Sequence, residues 1–353
     1  KGLLLTIPRS NGMVLESFIF EDTTDTGLSE RVSRCWEEGE WMSVDRAVVR
    51  APASLSNLGP GFDVFGLALK QPFDTIEIRK TSSPGVVIEA IDGLGSDRIP
   101  FDFRRNSAGV SSDQVLELGK ANFGVAMKIT KGVRPCSGIG SSGASAAGGA
   151  YATNLLLDNP LTMKQLVLCA AKAEEMTSGS FHADNVGPAL MGGFTMVSSY
   201  DPFEIIKVEP PGNLGIVVAM PDIMVPTREA RKVLPTSIGL DRMVFEVSHA
   251  SGLVLGMCSG DVELVGHSMK DVVIEPARAH LIPHMERAKA LAIERGATGS
   301  FLAGSGPCIA AVFDKRSIDG IEIAEALRGL YVDNSIDCVS WVTEPGEGCR
   351  RMV

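Results

Sequence analysis

The stretch "RPCSGIGSSGASAAGGAYATNLLL", residues 134–157, carries no charge after Arg134 and is crowded with Ser and Gly. Gly143, Gly148 and Gly149 would each cost about 1 kcal/mol in a helix interior. The segment therefore belongs where bare backbone is useful. The "VAMKITKGV" before it reads as a strand. The Ala/Gly run inside it reads as a helix that stops at Asp158-Asn159-Pro160. A strand, a glycine-rich turn and a helix N-terminus free several N–H groups and add a partial positive charge, which suits a phosphate. Ser141 and Ser142 add hydroxyls for a phosphate or its metal ion. A tightly packed small-residue helix without a ligand is the other reading the loop alone allows. No Lys follows Gly143, so this is not the usual phosphate loop ending in Gly-Lys-Ser/Thr. No acidic ribose reader of the dinucleotide-binding type is evident beyond Gly138-Ile139-Gly140 either.

The rest of the chain limits what such a loop can serve. At 353 residues there is room for two domains with their own cores. A formal charge of −10 argues against general nucleic-acid binding, but a few Arg or backbone N–H groups can still focus a local positive field on a small anion. Cys35, Cys136, Cys169, Cys258, Cys308, Cys338 and Cys349 form no C-x-x-C pair, which reads as reduced thiols and a cytoplasmic setting. The Ser, Gly, Asn and Pro content of residues 135–157 argues against a membrane span. Residues 1–41 carry four basic and eight acidic side chains and lack clear periodicity. They are expected to be a non-native or disordered extension, with Met42 as the natural start.

From Met42 onward strands and helices interleave without strict β-α-β repetition, which predicts an α+β fold. "RAVVRAP", "DTIEIRK" and "GVVIEAI" alternate as strands of an antiparallel sheet, and "SAGVSSDQVLELGKAN" reads as a helix. "TMKQLVLCAAKAEEMTSG" is an amphipathic helix starting at Thr162. Pro210-Pro211 is the linker candidate, dividing the chain into 42–210 and 211–353. Beyond it, "LGIVVAMP" and "ATGSFLAGSGPCIAAVFD" read as strands and "SIDGIEIAEALRGLYV" as a helix. "DCVSWVTEP" reads as the last strand.

Two further stretches join the opening loop: "APASLSNLGPGFDVFGLAL" (51–69) and "FLAGSGPCIAAVFD" (301–314). With "PCSGIGSSGASAAGG" they resemble the three motifs of the GHMP kinases, the small-molecule kinases of galactose, homoserine, mevalonate and phosphomevalonate. "EEMTSGSFHADNVGPALMGGF" (174–194), "VPTREAR" (225–231) and "EPARAHLIP" (275–283) narrow the likeness to the homoserine kinases within that family. The resemblance spans almost all of residues 44–343. Ile139 and Gly143 are small departures from the common wording of the loop.

The resemblance implies a two-domain GHMP kinase fold, with a ribosomal-S5-like N-terminal domain, a ferredoxin-like C-terminal domain and the site between them. It implies ATP and Mg²⁺ as cofactors, phosphoryl transfer to the side-chain hydroxyl of L-homoserine, a place in threonine biosynthesis, and a homodimer. Neither nucleic acid nor a membrane is an expected partner. Carried over by position, Pro135, Gly138, Ile139, Gly140, Ser141, Ser142 and Gly143 would wrap the ATP phosphates. Ser142 and Glu174 would hold Mg²⁺. Asn106 and Lys131 fit nucleotide-facing positions, with a helix cap and a solvated Lys as the plain alternatives. On the substrate side the match gives Asn57, Asp63, His182, Asn185, Thr227, Arg231, Arg278 and Gly304. Arg suits a bidentate grip on the α-carboxylate, and Arg228 is an alternative to Arg231 by spacing. Asn185 can position the hydroxyl but cannot take its proton. Asp63 is the one candidate base, with an ammonium contact as the equal alternative. Read without the family, His182 is a structural His and Asp184 a turn residue. Another GHMP kinase, of shikimate or mevalonate type, and a non-catalytic nucleotide-binding relative are the competing readings.

Overall fold

Apolar residues on every second position commit residues 46–57 and 74–81 to strands, because only one face of a pleated sheet can then be buried. The computed structural model describes residues 3–7, 16–20 and 45–352. In the unit Lys1–Ser43, β1 (Leu3–Ile7) and β2 (Glu16–Phe20) form an antiparallel pair where the sequence suggested no strand. The expected start at Met42 lies outside the described residues.

The second unit, Val44–Val353, begins with β3 (Arg46–Asn57) and the long β4 (Gly61–Thr81). Along β3, Ala47, Val49 and Ala51 turn inward, and along β4 Ile76 and Ile78 do the same. β5 (Val86–Gly93) pairs in parallel with β6 (Gly124–Lys131), which pairs antiparallel with β4. α1 (Ser107–Leu118), α2 (Ser141–Leu156), α3 (Met163–Ser178) and the short α4 (Val186–Met191) cover the sheet. α3 opens with a capping box between Thr162 and Gln165, the start its sequence predicted. α2 is buried along almost its whole length. A Cβ on Gly148 would stand 2.7 Å from Ile76 Cγ1 and 3.0 Å from Ala51 Cβ, so the helix can lie this close to the sheet only as glycine. β7 (Phe194–Tyr200) pairs with β4 and with β8 (Phe203–Val208).

The second half is built on β9 (Leu214–Pro221), β10 (Gly299–Leu302), β11 (Ile309–Asp314) and β12 (Cys338–Thr343), in sheet order β10-β11-β9-β12 and antiparallel throughout. Between β9 and β10 come α5 (Thr227–Lys232), α6 (Leu240–Ser259), α7 (Val262–His267), α8 (Ile274–Arg278) and α9 (Met285–Glu294). α10 (Ile321–Asp333) precedes β12. A split β-α-β with this order is the ferredoxin-like arrangement. One face of the sheet packs on α9 and α10 through Met285, Ala288, Ile323 and Leu327. The other face, with Ile216, Val218, Phe301 and Val312, shares a single apolar core with Leu55, Leu67, Ile139 and Phe194 of the first half.

The chain does not end in the second sheet. β13 (Arg350–Arg351) pairs with β3, and Pro345 bridges to Leu69. The final segment thus returns to the first sheet, past the strand the sequence had suggested as the last.

Candidate active site

Three loops meet where the two halves join. The first is the turn from β3 to β4, where Asn57, Leu58 and Asp63 all take positive φ, conformations that stay populated only where the surroundings enforce them. Asn57 Oδ1 accepts from the Asp63 N–H at 3.2 Å, and its Nδ2 donates to Gly304 O at 3.0 Å. The second loop runs from Lys131 to Ser141. The third is Ala303–Gly306, which a Cβ on Gly138 would strike at 2.8 Å. Around them lies a cavity of about 360 Å³.

One end of the cavity is made largely of backbone. α2 starts at Gly140, at φ +67°, without a side-chain cap, so its first-turn N–H groups have no partner inside the helix. No side chain fits at Gly140, because a Cβ there would lie 2.3 Å from Ser54 Oγ and 2.6 Å from Asn185 Oδ1. Gly138, Gly140, Ser141, Ser142 and Pro135 line the cavity. Ile139 and Gly143 do not. Ile139 is buried in the shared core, its carbonyl accepting from the Ser54 N–H, and Gly143 packs against Asn185. Their smallness and greasiness shape the loop from behind.

Lys131 is not a solvated Lys. Its ammonium is buried, paired with Asp74, and donates to Ser141 O at 3.0 Å and Ser145 Oγ at 2.8 Å. Asn106 is the cap of α1, accepting from Ala108 N and Gly109 N, and also lines the cavity beside Ile99, Pro100 and Arg105. Glu174, on α3, is buried and bonded by the Ser142 hydroxyl. Burial pushes its carboxyl upward, while His182 and Ser142 oppose the shift. A buried carboxylate with a hydroxyl beside it, on a cavity wall, is a donor set that fits one hard divalent cation.

The other end is made of charged side chains. Asp63 receives both Arg231 nitrogens, at 2.9 and 2.6 Å, in a pair about four-fifths buried. Arg278 is 2 % exposed and donates to Ala230 O at 3.2 Å and Gly304 O at 2.8 Å. Burial and the nearby Arg231 lower it to about 10, so it remains charged at neutral pH. Both guanidiniums lie over the Phe62 ring, at 5.2 and 5.6 Å. His182 Nδ1 bonds Asp184 Oδ1 at 2.9 Å. Burial works against the imidazolium, but Asp184, with Glu174 and Asp63 nearby, outweighs it and pushes His182 up to about 9. Burial likewise penalises the Asp184 carboxylate, yet His182 holds it below its usual range. His182 is therefore a cation with a fixed partner. Asp63, His182 and Asp184 come close enough to hold a metal ion, but Arg231 already takes both Asp63 oxygens and the other two hold each other.

Asn185 Oδ1 accepts from Ser54 Oγ at 2.9 Å, and its Nδ2 donates to Ser56 Oγ at 3.0 Å. Thr227 Oγ1 lies 3.3 Å from Ser305 Oγ. Arg228 is exposed and lines the same cavity. Except for Ile139 and Gly143, the site residues read from the sequence all line this one cavity. Sequence reading missed Asp74, Ser54, Ser56, Phe62 and Ser305, and took Asp184 for a turn residue. Asp74 had a signal. It shares the buried face of β4 with Ile76 and Ile78, and an ionisable group there needs a partner.

The chain is similar to known proteins along most of its length. Residues 110–193 match the GHMP kinases N terminal domain and residues 253–333 the GHMP kinases C terminal domain. A homoserine kinase of Methanococcus maripaludis is 38% identical over 302 residues, covering 85% of this chain and 96% of its own. One of Halorubrum lacusprofundi is 40% identical over 300 residues, 85% of this chain and 97% of its own. The crystal structure of a homoserine kinase from Cytophaga hutchinsonii superposes with a TM-score of 0.83 at 36% identity, covering 89% of this chain and 99% of that one. A mevalonate kinase of L. major, at TM-score 0.64 and 15% identity over 86% of this chain and 97% of its own, shares the fold.

Proposed function

The chain belongs to the homoserine kinase family of the GHMP kinases, and from that premise we infer how its cavity phosphorylates the side-chain hydroxyl of homoserine with ATP. The observation that carries the reading is that an uncapped, glycine-fronted helix N-terminus and a cluster of Arg and Asp side chains open onto one cavity. The first suits a polyphosphate. The second suits an α-amino acid, whose ammonium and carboxylate are what Asp63 and Arg231 already offer each other.

In this reading the substrate enters that ion pair. Its ammonium takes Asp63, and its carboxylate takes Arg231 and Arg278. Arg278 is held in place by Gly304 O from the third motif. Asn185, fixed by Ser54 and Ser56, sits between this end and the helix N-terminus, where the hydroxyl must meet the γ-phosphate. Ser142 and Glu174 would hold Mg²⁺, which when bound supplies charge neutralisation to the phosphates.

In this reading no side chain is assigned as a strong base, since Asp184 is held by His182 and Glu174 is given to the metal ion. Asp63 is engaged by Arg231 before the substrate enters, and by the substrate ammonium afterwards in this reading. His182 is protonated, and an amide such as Asn185 takes no proton. Phosphoryl transfer through a loose transition state needs little early deprotonation, so orientation and charge stabilisation are what these residues supply.

Incubating the protein with ATP and Mg²⁺ against a panel of hydroxy acids and hydroxy amino acids tests the reading. Homoserine should be phosphorylated with the highest kcat/KM. A preference for shikimate or mevalonate, or no transfer at all, overturns it. No helix among the described residues is long and apolar enough to cross a membrane. A cytoplasmic location and a homodimer belong to the same proposal. Exposed Leu240, Val244 and Val247 on α6 offer apolar surface for a second copy, and sedimentation would report its presence.

A further inference from the structure

We propose that Asp74 is a positioning residue for ATP, a single buried carboxylate that fastens both ends of the phosphate-binding loop. The inference rests on the reading that ATP phosphates lie at the N-terminus of α2. Asp74 is fully buried on the inner face of β4, five residues past the end of the 51–69 motif, and it does not itself line the cavity but bonds Lys131 and Ser145, which do. Its Oδ1 accepts from the Gly132 N–H at 3.1 Å and the Val133 N–H at 3.0 Å, where the chain leaves β6. Its Oδ2 accepts from Ser145 Oγ at 2.8 Å and pairs with the Lys131 ammonium. Lys131 in turn donates to Ser141 O, in the first turn of α2. Ser141 Oγ closes the ring by donating to Val133 O at 2.8 Å.

The ends of the loop, Gly132–Val133 and Ser141–Ser145, are thus held by one group, while its tip at Pro135–Gly138 has backbone to offer a ligand. A helix N-terminus binds an anion only as well as its N–H groups are aimed, and the aim here is set by this carboxylate. Four hydrogen bonds to one buried carboxylate also explain why Lys131 is buried rather than extended toward the nucleotide. Its ammonium fixes Ser141 from beneath.

The test compares wild type with Asp74→Asn, which keeps the shape and one acceptor but drops the charge that holds Lys131 and Ser145. The titrants are a non-hydrolysable ATP analogue, adenosine and homoserine. The expected result is a Kd for the ATP analogue raised about tenfold or more, with adenosine affinity and the KM for homoserine changed less than about twofold. Ser145→Ala, which removes one bond, should raise the ATP KM about threefold and serves if Asp74→Asn does not fold. Adding Lys131→Met to Asp74→Asn removes both buried charges, so the fold should recover while ATP affinity should not. Equal losses for adenosine, ATP and homoserine, or wild-type ATP affinity in the folded variants, overturn the proposal. Wild-type protein that fails to bind the analogue would sink the parent reading instead, so the two failures are distinct.

Discussion

The ends of the cavity proposed for the phosphates and for the amino acid are built on opposite principles. The first is backbone held rigid from behind, by Asp74, Lys131 and Ser145 below and by Ser54 and Asn185 beside Gly140. The first-turn N–H groups of α2 have no partner inside the helix to give up. The second is a set of long charged side chains that hold one another: Asp63 with Arg231 and His182 with Asp184. Its groups have partners before a ligand comes, and the substrate must replace them. A polyphosphate can be met by fixed dipoles, because its charge is large and spread. A small zwitterion is better told from its neighbours by a site that loses an ion pair unless both ligand charges are present.

This contrast can be broken most sharply at Arg278. Arg278→Ala should lower kcat/KM for homoserine by roughly 2–5 kcal/mol, about thirtyfold or more, because a desolvated carboxylate loses its charged partner. An amino alcohol without the carboxylate, a poor substrate of the natural enzyme, should lose far less. Equal losses on both compounds would place Arg278 with the phosphates or the fold. Because Arg278 also binds Ala230 O and Gly304 O, the melting temperature must be recorded alongside.

At the other end, Ser142→Ala and Glu174→Gln should each slow turnover on the order of a hundredfold, as when one electrostatic stabiliser is lost. The KM for homoserine should barely move. Near-normal turnover at saturating Mg²⁺ would remove both from the site and erase the proposed division of labour.

The His182–Asp184 pair gives the amino-acid end a pH dependence. His182 is raised by folding from 6.5 to about 9. A raised cation adds stability that is fully present below the unfolded pKa and is lost as pH climbs through the folded one. That contribution is on the order of 3 kcal/mol at 1.36 kcal/mol per unit. Urea midpoints should therefore fall between about pH 6.5 and 9 in the natural protein, and His182→Gln should flatten that slope. A natural protein whose stability is level across the interval would show that the imidazole is not charged.

The smallest effect is expected at Arg228, exposed on the same cavity. Arg228→Ala should change kcat/KM by less than about 0.5 kcal/mol. A loss rivalling that of Arg278 would move the carboxylate grip to Arg228 and away from the Asp63–Arg231 pair.

The strand, glycine-rich turn and helix of the rigid end were legible in the sequence, because they are written in residue types with few other uses. A run such as Gly138-Ile139-Gly140-Ser141-Ser142 after a strand has little to do but expose backbone. Its support was less legible. Gly148 answers to Ile76 and Ala51 rather than to a ligand, and Asp74 reaches Lys131 across 57 residues, a contact only β-pairing creates. At the charged end the sequence offered the residue types, but their mutual engagement was hidden. Asp63 and Arg231 lie 168 residues apart, and no local pattern says that a candidate base is already spoken for. The short helices α5, α7 and α8 also escaped notice, being too brief for periodicity to register.

The return of the chain's last segment to β3 matters before the enzyme ever meets a substrate. A ribosome releases residues in order, at about 5–20 per second. The loop proposed for the phosphates and its supports emerge early, yet among the described residues the outer side of β3 has no strand neighbour until Arg350 and Arg351 follow. Throughout that interval a growing chain presents an unpaired strand edge, the kind of template on which nascent proteins join one another.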